Sequence, residues 1–228
     1  MAAILNGRFV YRGFEAWISV EGQPLSHFGV ESNEQRGEAT AWIPSEASKT
    51  FRVNYRKTFD DENGYWAKLR LDGHKADRRM HENRPGKGIT EAKRMEYVEI
   101  SPTNARFFMF NPIAFTDDDT YLDHPNAASI GEIRLVLLPA NVRNGPPAPR
   151  HFNAPLSKQK ERKVHEKDKR KVVHQIKLSE TVEKPQIEPD VVHVEVVGQP
   201  VTFVFKYRPL GRCFKQTGSH LAPRRLPY

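Results

Sequence analysis

The stretch that decides the fold is Thr40-Ala-Trp-Ile-Pro-Ser-Glu-Ala-Ser-Lys-Thr-Phe-Arg-Val-Asn-Tyr55. In its second half Phe51, Val53 and Tyr55 alternate with polar residues. Successive side chains of a strand leave on opposite faces, so this period of two predicts a half-buried strand. The apolar run before it stops at Pro44, which has no N–H to donate to a neighbouring strand. We therefore expect two strands and a polar loop, paired as a hairpin with one face towards a core.

The same alternation recurs along the chain, between turns rich in Gly, Pro, Asn and Asp. The clearest examples are Phe14–Val20, Tyr65–Asp72, Val172–Leu178 and Val201–Tyr207. Shorter or weaker strands are expected at Phe28–Glu31, Tyr97–Ile100 and Val191–Val197, and one within the long polar loop Lys75–Gly88. Glu21-Gly22-Gln23-Pro24, Asn63-Gly64 and Asp72-Gly73 read as turns.

Two further segments predict strands of a different kind. Ala105–Phe110 contains three phenylalanines and a methionine in an unbroken apolar run, which is typical of a strand covered on both faces. Ile130–Leu138 predicts a central strand, which Pro139 is expected to end.

Together these roughly ten short strands predict an all-β fold, an antiparallel two-sheet β-sandwich of the jelly-roll kind. We expect residues 1–210 to form a single domain that includes a basic, lysine-rich excursion at 151–171. Part of the excursion could be helical, but any helix there would be solvated and marginal in isolation. Residues 211–228 are expected to form a loosely held tail. The alternative is that the basic segment links two small domains.

Much of the formal net charge of +8 falls in the basic excursion, where eight basic residues face three acidic ones. The basic residues are Lys158, Lys160, Arg162, Lys163, Lys167, Lys169, Arg170 and Lys171. The segment has three interpretations: a solvated mobile loop, a surface that neutralises nucleic-acid phosphates, or a nuclear-import signal. The run from Lys158 to Lys171 lacks aromatic residues on which bases could stack, which disfavours sequence-specific recognition of single strands.

The single cysteine, Cys213, excludes an intramolecular disulfide and a Cys₄ or Cys₂His₂ zinc site. The sequence shows no signal peptide, no N-glycosylation sequon and no apolar run of the roughly 20 residues that span a bilayer. We therefore expect a cytoplasmic or nuclear protein that does not bind membranes.

The motifs of catalysis and metal binding are missing or incomplete. Gly86-Lys87-Gly88 lacks the first glycine and the Ser/Thr of a phosphate-binding loop. Asp117-Asp118-Asp119 offers oxygen ligands but lacks calcium-loop spacing, so a solvated acidic turn is favoured. The nine histidines form no zinc motif, and Cys213 reads as a small, partly buried side chain. We expect no catalytic residue, no metal and no cofactor, and so no enzyme.

The three tryptophans, Trp17, Trp42 and Trp66, have two interpretations. They could stack on a sugar or peptide in a surface groove, but aromatic residues in the strands of a sandwich more often belong to the core.

Several motifs resemble a family of uncharacterised proteins, mostly from mushroom-forming fungi, that carry a domain of unknown function. They are Phe14-Glu-Ala-Trp-Ile-Ser-Val-Glu-Gly, Trp42-Ile-Pro-Ser-Glu-Ala-Ser-Lys, Phe51-Arg-Val, Ser101-Pro-Thr, Thr116-Asp-Asp-Asp, Gly131-Glu-Ile-Arg-Leu and Phe203-Val-Phe-Lys-Tyr-Arg-Pro-Leu. The resemblance extends from about Phe14 to Leu210. It implies a single β-rich domain, and it implies no catalytic residue, cofactor or partner.

These observations favour a non-enzymatic, intracellular β-sandwich that serves as an interaction or scaffold module. Its partner is expected to be another protein or a second copy, because an exposed sheet edge can pair with another chain. One alternative is a nucleic-acid-associated protein that binds phosphates through residues 158–171. Another is a carbohydrate-binding module that uses exposed aromatic residues.

Overall fold

The computed structural model describes residues 1–59, 63–81, 91–121, 130–144, 163–165, 173–185, 192–211 and 213. Within them the chain is all-β, with several open and mostly antiparallel sheets, as the sequence predicts and as a β-sandwich requires. A 3₁₀ turn at Asp119–Tyr121 interrupts the strands. Within the described ranges, no helix has the length and hydropathy needed to cross a membrane.

Two large sheets contain most of the strands. The first sheet consists of β1 (Ala3–Leu5), β2 (Arg8–Tyr11), β3 (Phe14–Val20), β4 (Gln23–Pro24), β7 (Phe51–Lys57) and β10 (Lys93–Met95). The second sheet consists of β5 (Phe28–Asn33), β6 (Glu38–Pro44), β8 (Gly64–Leu71), β9 (His74–His81), β14 (Glu132–Asn144), β17 (Val192–Val196) and β18 (Val201–Arg208). The strand order is β1-β2-β3-β7-β10 in the first sheet, with β4 beside β3. It is β5-β6-β18-β14-β8-β9 in the second, with β17 beside β14.

Two smaller sheets complete the described part. The third sheet consists of β11 (Tyr97–Glu99), β12 (Asn104–Pro112) and β16 (His174–Glu183), in the order β11-β12-β16. The fourth is a parallel pair of β13 (Ala114–Thr116) and β15 (Lys163–His165).

The predicted hairpin at residues 40–55 is wrong. Both strands form, and β6 ends at Pro44 as expected. However, β6 pairs with β5 and β18, whereas β7 pairs with β3 and β10. The polar loop therefore crosses from the second sheet to the first. Alternation shows which side chains point inward, but it does not show which strand lies alongside.

Two other expectations are also wrong. β14 continues through Pro139 to Asn144, because Pro139 lies where β14 leaves β18 and begins to pair with β17. β12 is covered on one face only, since Phe108 and Phe110 are buried while Phe107 and Met109 are half-buried. The central position predicted for β14, between β18 and β8, is confirmed.

The core lies between the inner faces of the first and second sheets, and the third sheet closes one side. The first sheet contributes the aromatic residues Phe9, Tyr11, Phe14, Phe51 and Tyr55. The facing residues are Tyr65, Phe203, Phe205 and Tyr207 from the second sheet and Phe108 and Phe110 from the third. Edge contacts such as Phe9–Phe203, with centroids 5.4 Å apart, join the two large sheets.

Part of the predicted basic excursion is described. β15 lies within residues 151–171 and is extended rather than helical, and its Val164 and His165 are buried. The rest of the excursion lies outside the described residues. Of the predicted tail at 211–228, Gly211 and Cys213 are described, and Cys213 is buried.

Candidate functional site

The outer face of the second sheet consists of the side chains that point away from the core. Along β8, Trp66, Lys68 and Arg70 point outward because they alternate with buried inner residues. Residues directly opposite each other on paired strands share a face, so the ladders assign the remaining outer positions. The charged members are seven basic residues, Lys68, Arg70, Lys75, Arg78, Arg134, Lys206 and Arg208, and three acidic residues, Glu31, Glu38 and Glu132.

Four of these basic side chains occupy the β8–β9 hairpin, which we call the basic hairpin: Lys68, Arg70, Lys75 and Arg78. Lys68 lies directly opposite Arg78, and Arg70 lies directly opposite Lys75. Arg70, Lys75 and Arg78 are exposed, and Lys68 is half-buried. Like charges directly opposite each other destabilise a sheet. The hairpin therefore contains two cross-strand pairs that oppose its own stability.

The register of the basic hairpin is set by its turn and by a bulge. Asp72 and Gly73 both have positive φ, which is the type I′ geometry of a two-residue hairpin. Counting from that turn, a regular ladder would place Asp77 opposite Lys68. Instead the register shifts between Leu69 and Arg70, and Asp77 lies opposite Leu69. The bulge thereby replaces a favourable Lys–Asp pair with an unfavourable Lys–Arg pair.

Asp77, displaced from Lys68, has its own partner on the inner side of β9. Its Oδ2 accepts a hydrogen bond from Arg79 Nε at 2.9 Å, and Arg79 also stacks over the Tyr97 ring. Burial raises the pKa of Asp77, although the adjacent Arg79 charge opposes that effect. Its carboxylate therefore does not neutralise the outer face.

The acidic residues of the outer face are concentrated at β6 and β14. Arg134 Nη1 lies 2.6 Å from Glu38 Oε2, and Arg134 Nη2 lies 3.6 Å from Glu132 Oε1. Because β18 separates β14 from β6, the Arg134–Glu38 ion pair crosses β18, where Val204 is only 1% exposed. In the part of the chain that the structure describes, the four basic-hairpin side chains have no comparable ion pair. These four cations therefore contribute unneutralised positive charge to the outer face.

The three tryptophans do not form one groove. Trp17 is 8% exposed and lies in β3 of the first sheet, with the Arg8 guanidinium 4.7 Å from its ring centroid. Trp42 and Trp66 are half-buried on the outer face, separated by β18 and β14. Cations lie over both: Arg208 is 5.2 Å from the Trp42 ring, and Lys68 is 3.7 Å from the Trp66 ring.

The predicted basic site is largely outside the described residues. Lys163 begins β15, and only its backbone is described. The other predicted residues, Lys158, Lys160, Arg162, Lys167, Lys169, Arg170 and Lys171, lie outside the described ranges, as does the loop at 86–90. Their role in binding therefore stays a prediction.

A serine and a histidine that the sequence did not single out lie close together. Ser45 Oγ is 2.8 Å from His174 Nδ1, a spacing also found between a nucleophile and its base. However, Ser45 is buried, and its backbone N–H donates to the Arg208 carbonyl at 2.7 Å. These contacts hold the start of the connection from β6 against β16 and β18, which is a structural role.

A second histidine is hydrogen-bonded inside the sandwich. Tyr55 Oη is 2.8 Å from His81 Nε2, and the Tyr65 ring packs against both side chains. Burial, helped by the nearby positive charges of Lys93 and Arg79, lowers the pKa of His81 to about 3. Burial also raises the pKa of Tyr55 and of Tyr65. At neutral pH these groups are uncharged, as a buried polar cluster requires.

The acidic turn has local partners. Asp118 Oδ1 accepts a hydrogen bond from the Thr120 N–H, and Asp119 Oδ1 lies 3.2 Å from His165 Nε2. No group of three His, Cys, Asp or Glu side chains suited to a metal ion occurs within the described ranges. The contacts fit the predicted acidic turn.

Cys213 packs against the end of β6. Its thiol lies 3.4 Å from the Ile43 carbonyl and is fully buried. Burial raises the pKa of Cys213 to about 11, so the thiol is protonated at neutral pH and is a poor nucleophile.

His27 gives the fold a pH dependence that can be measured. Its ring packs between Phe9 and Phe205, and neither ring nitrogen has a hydrogen-bond partner among the described residues. Burial lowers the pKa of His27 from 6.5 to about 4. The unfolded chain therefore binds the proton more readily, and this site stabilises the fold above pH 6.5 but loses that contribution as the pH falls towards 4.

We expect His27→Phe to reduce the acid sensitivity of the protein. Between pH 7 and pH 4.5, the free energy of unfolding of the wild type should fall by about 2 kcal/mol more than that of the variant. Urea unfolding at both pH values measures this difference. Equal losses in the two proteins would show that His27 titrates normally.

Comparison with models of known protein families gives a match. Residues 13–211, well over half of the chain, match the family described as Domain of unknown function (DUF7918). No curated protein matches the sequence, and no solved structure matches it.

Proposed function

The chain belongs to the DUF7918 family, whose description assigns no activity, and we propose from the geometry of the outer face that it is a non-enzymatic binding module for an anionic macromolecule. The observation that carries this proposal is the pair of like-charged contacts in the basic hairpin, Lys68–Arg78 and Arg70–Lys75. A hairpin selected only for stability would have opposite charges at these positions. The bulge at Ala76 prevents this for Lys68, because it moves Asp77 out of the position opposite Lys68. An arrangement that opposes folding is expected where binding requires it.

The outer face also has the form of an interaction surface. It is an extended sheet face with charged residues at its margins and with Trp42 and Trp66 half-buried among them. Tryptophan and arginine are enriched at binding hot spots, because they combine apolar contact area with polar contacts. The proposal is for an intracellular protein whose partner binds across β8 and β9.

Charge reversal at Arg78 tests whether the like-charged pairs of the basic hairpin oppose folding. Arg78→Glu converts the Lys68–Arg78 pair into an opposite-charge pair, so we expect the free energy of unfolding to rise by about 0.5–1 kcal/mol. Urea unfolding measures the change. The matched control repeats Arg78→Glu in a Lys68→Ala background, where the gain should largely disappear. A loss of stability in the Lys68-containing protein would remove the basis of the proposal.

The other functions suggested by the sequence remain as alternatives. Nucleic-acid binding through residues 158–171 stays a prediction. The cations over Trp17, Trp42 and Trp66 give carbohydrate stacking less support, because a cation competes with a sugar for a ring face.

Self-association has a candidate edge in β1. Its Ile4 and Leu5 are 39% and 57% exposed, and β1 lies at one margin of the first sheet. A second copy could add a strand there, and a monomeric mass by light scattering at high protein concentration would argue against it.

A further inference from the structure

The basic hairpin presents its charge as a grid of two cross-strand pairs, with the Ala76 bulge between them on β9. Lys68 and Arg70 are two residues apart on β8, which separates their Cα atoms by roughly 7 Å along the strand. Their partners Arg78 and Lys75 lie one strand away on β9, roughly 5 Å across the ladder. Arg134 lies directly opposite Arg70 on β14, but its guanidinium is already paired with Glu38 and Glu132. The hairpin therefore offers four closely spaced positive charges on one sheet face.

The hairpin is rigid because buried hydrogen bonds hold its turn in place. Asp72 is 1% exposed, and its carboxylate accepts hydrogen bonds from Tyr207 Oη at 2.6 Å and from the backbone N–H groups of Gly131 and Ile176. The Arg70 guanidinium also caps the Gly73 carbonyl at 3.2 Å. The cations thus stand on a fixed framework, which lowers the entropy lost when a ligand binds.

The chemistry of the grid limits the ligand. A membrane surface would be favoured by apolar side chains at the hairpin tip, but the tip is the buried Asp72 followed by Gly73. Acidic peptides carry mobile carboxylates, whereas nucleic acids carry closely and regularly spaced phosphates on a stiff backbone. Arginine and lysine on a rigid face suit such phosphates.

We propose that the basic hairpin binds the phosphate backbone of a nucleic acid through Lys68, Arg70, Lys75 and Arg78, without sequence preference. This inference rests on the proposed function and names the anionic partner. It assigns the contact to the basic hairpin and not to residues 158–171. The binding follows from phosphate neutralisation and counterion release, so it weakens steeply with salt.

The first experiment measures the binding of the full chain to a fluorescent 20-base-pair duplex and a fluorescent 20-nucleotide single strand at several salt concentrations. With four phosphate contacts, affinity for the duplex should fall on the order of 100-fold between 50 and 200 mM salt. Arg70→Gln with Arg78→Gln should reduce the slope of log K against log salt by about 1.8 for the duplex and about 1.4 for the single strand. Arg36→Gln, at an exposed arginine of the β5–β6 turn, should leave the slope unchanged.

The variants should remain folded, because they remove like-charge contacts, and their thermal unfolding checks this. A second set of variants replaces Lys158, Lys160 and Lys163 with Gln. If the slope changes in this set but not in the Arg70/Arg78 variant, the nucleic acid binds the excursion and the inference is overturned.

Two further probes separate this inference from the proposed function. If a polyglutamate peptide or vesicles containing phosphatidylserine bind through Arg70 and Arg78 while nucleic acid does not, the inference is overturned and the binding-module proposal stands. If no anionic probe binds the wild type at 50 mM salt, both the inference and the proposed function are overturned.

Discussion

Replacing Asp72 with Asn is expected to lower the free energy of unfolding by about 3–5 kcal/mol. The Asp72 carboxylate accepts hydrogen bonds from Tyr207, Gly131 and Ile176 at 2.6–2.9 Å, and these groups come from, or lie just before, three different strands. An amide has one accepting oxygen, so its NH₂ group must face at least one of these donors. The substitution therefore leaves a buried N–H or O–H group without an acceptor.

Urea unfolding of Asp72→Asn measures this effect without a change in backbone preference. Asp72 has φ of 48°, a left-handed conformation that Asn adopts as readily as Asp. Tyr207→Phe is the matched comparison, since it removes one of the three hydrogen bonds, and it should cost about 1.5–3 kcal/mol. A loss below about 1 kcal/mol for Asp72→Asn would show that the carboxylate does not fasten these strands.

Phe110→Ala is expected to destabilise the protein by about 3–5 kcal/mol, because it opens a cavity where three sheets meet. Phe110 is fully buried in β12 of the third sheet. Its ring stacks on Phe51 of the first sheet at 4.4 Å and packs against Tyr207 of the second sheet at 5.1 Å. The surrounding aromatic rings are fixed on separate sheets, so they can fill little of the space left behind.

Phe107→Ala is the matched control for this cavity. Phe107 lies on the same strand, but it is half-buried and its ring contacts Tyr97 at the surface of the third sheet. Its loss should be no more than about half that of Phe110→Ala, because a half-buried ring removes less apolar area from water. Similar losses for the two variants would show that the third sheet does not seal the core.

Periodicity in the sequence predicts the individual strands better than it predicts their arrangement. β3, β7, β8 and β18 occur where alternation is clear, because one face of each points into the apolar core. The predicted pairing of β6 with β7 is wrong because alternation identifies core-facing side chains but does not show which of the two sheets contains the strand. The parallel pairing of β6 with β18 joins residues far apart in sequence, and no local pattern indicates it.

The basic hairpin cannot be identified from the order of charged residues along the chain. Residues 158–171 stand out because their cations are adjacent in sequence, whereas Lys68 and Arg78 become neighbours only when β8 and β9 pair. The outward alternation of Trp66, Lys68 and Arg70 is visible in the sequence. The bulge that turns Asp77 away from Lys68 is not visible, because its effect depends on the register of the folded hairpin.

The parallel pairing of β6 with β18 has a consequence for how the protein is made. β6 ends at Pro44 and β18 begins at Val201, so a ribosome must translate nearly the whole domain before β6 meets this neighbour. Until then one side of β6 has unpaired backbone N–H and C=O groups, which attract other nascent chains. The β6 edge therefore stays open to other chains for most of the protein's synthesis.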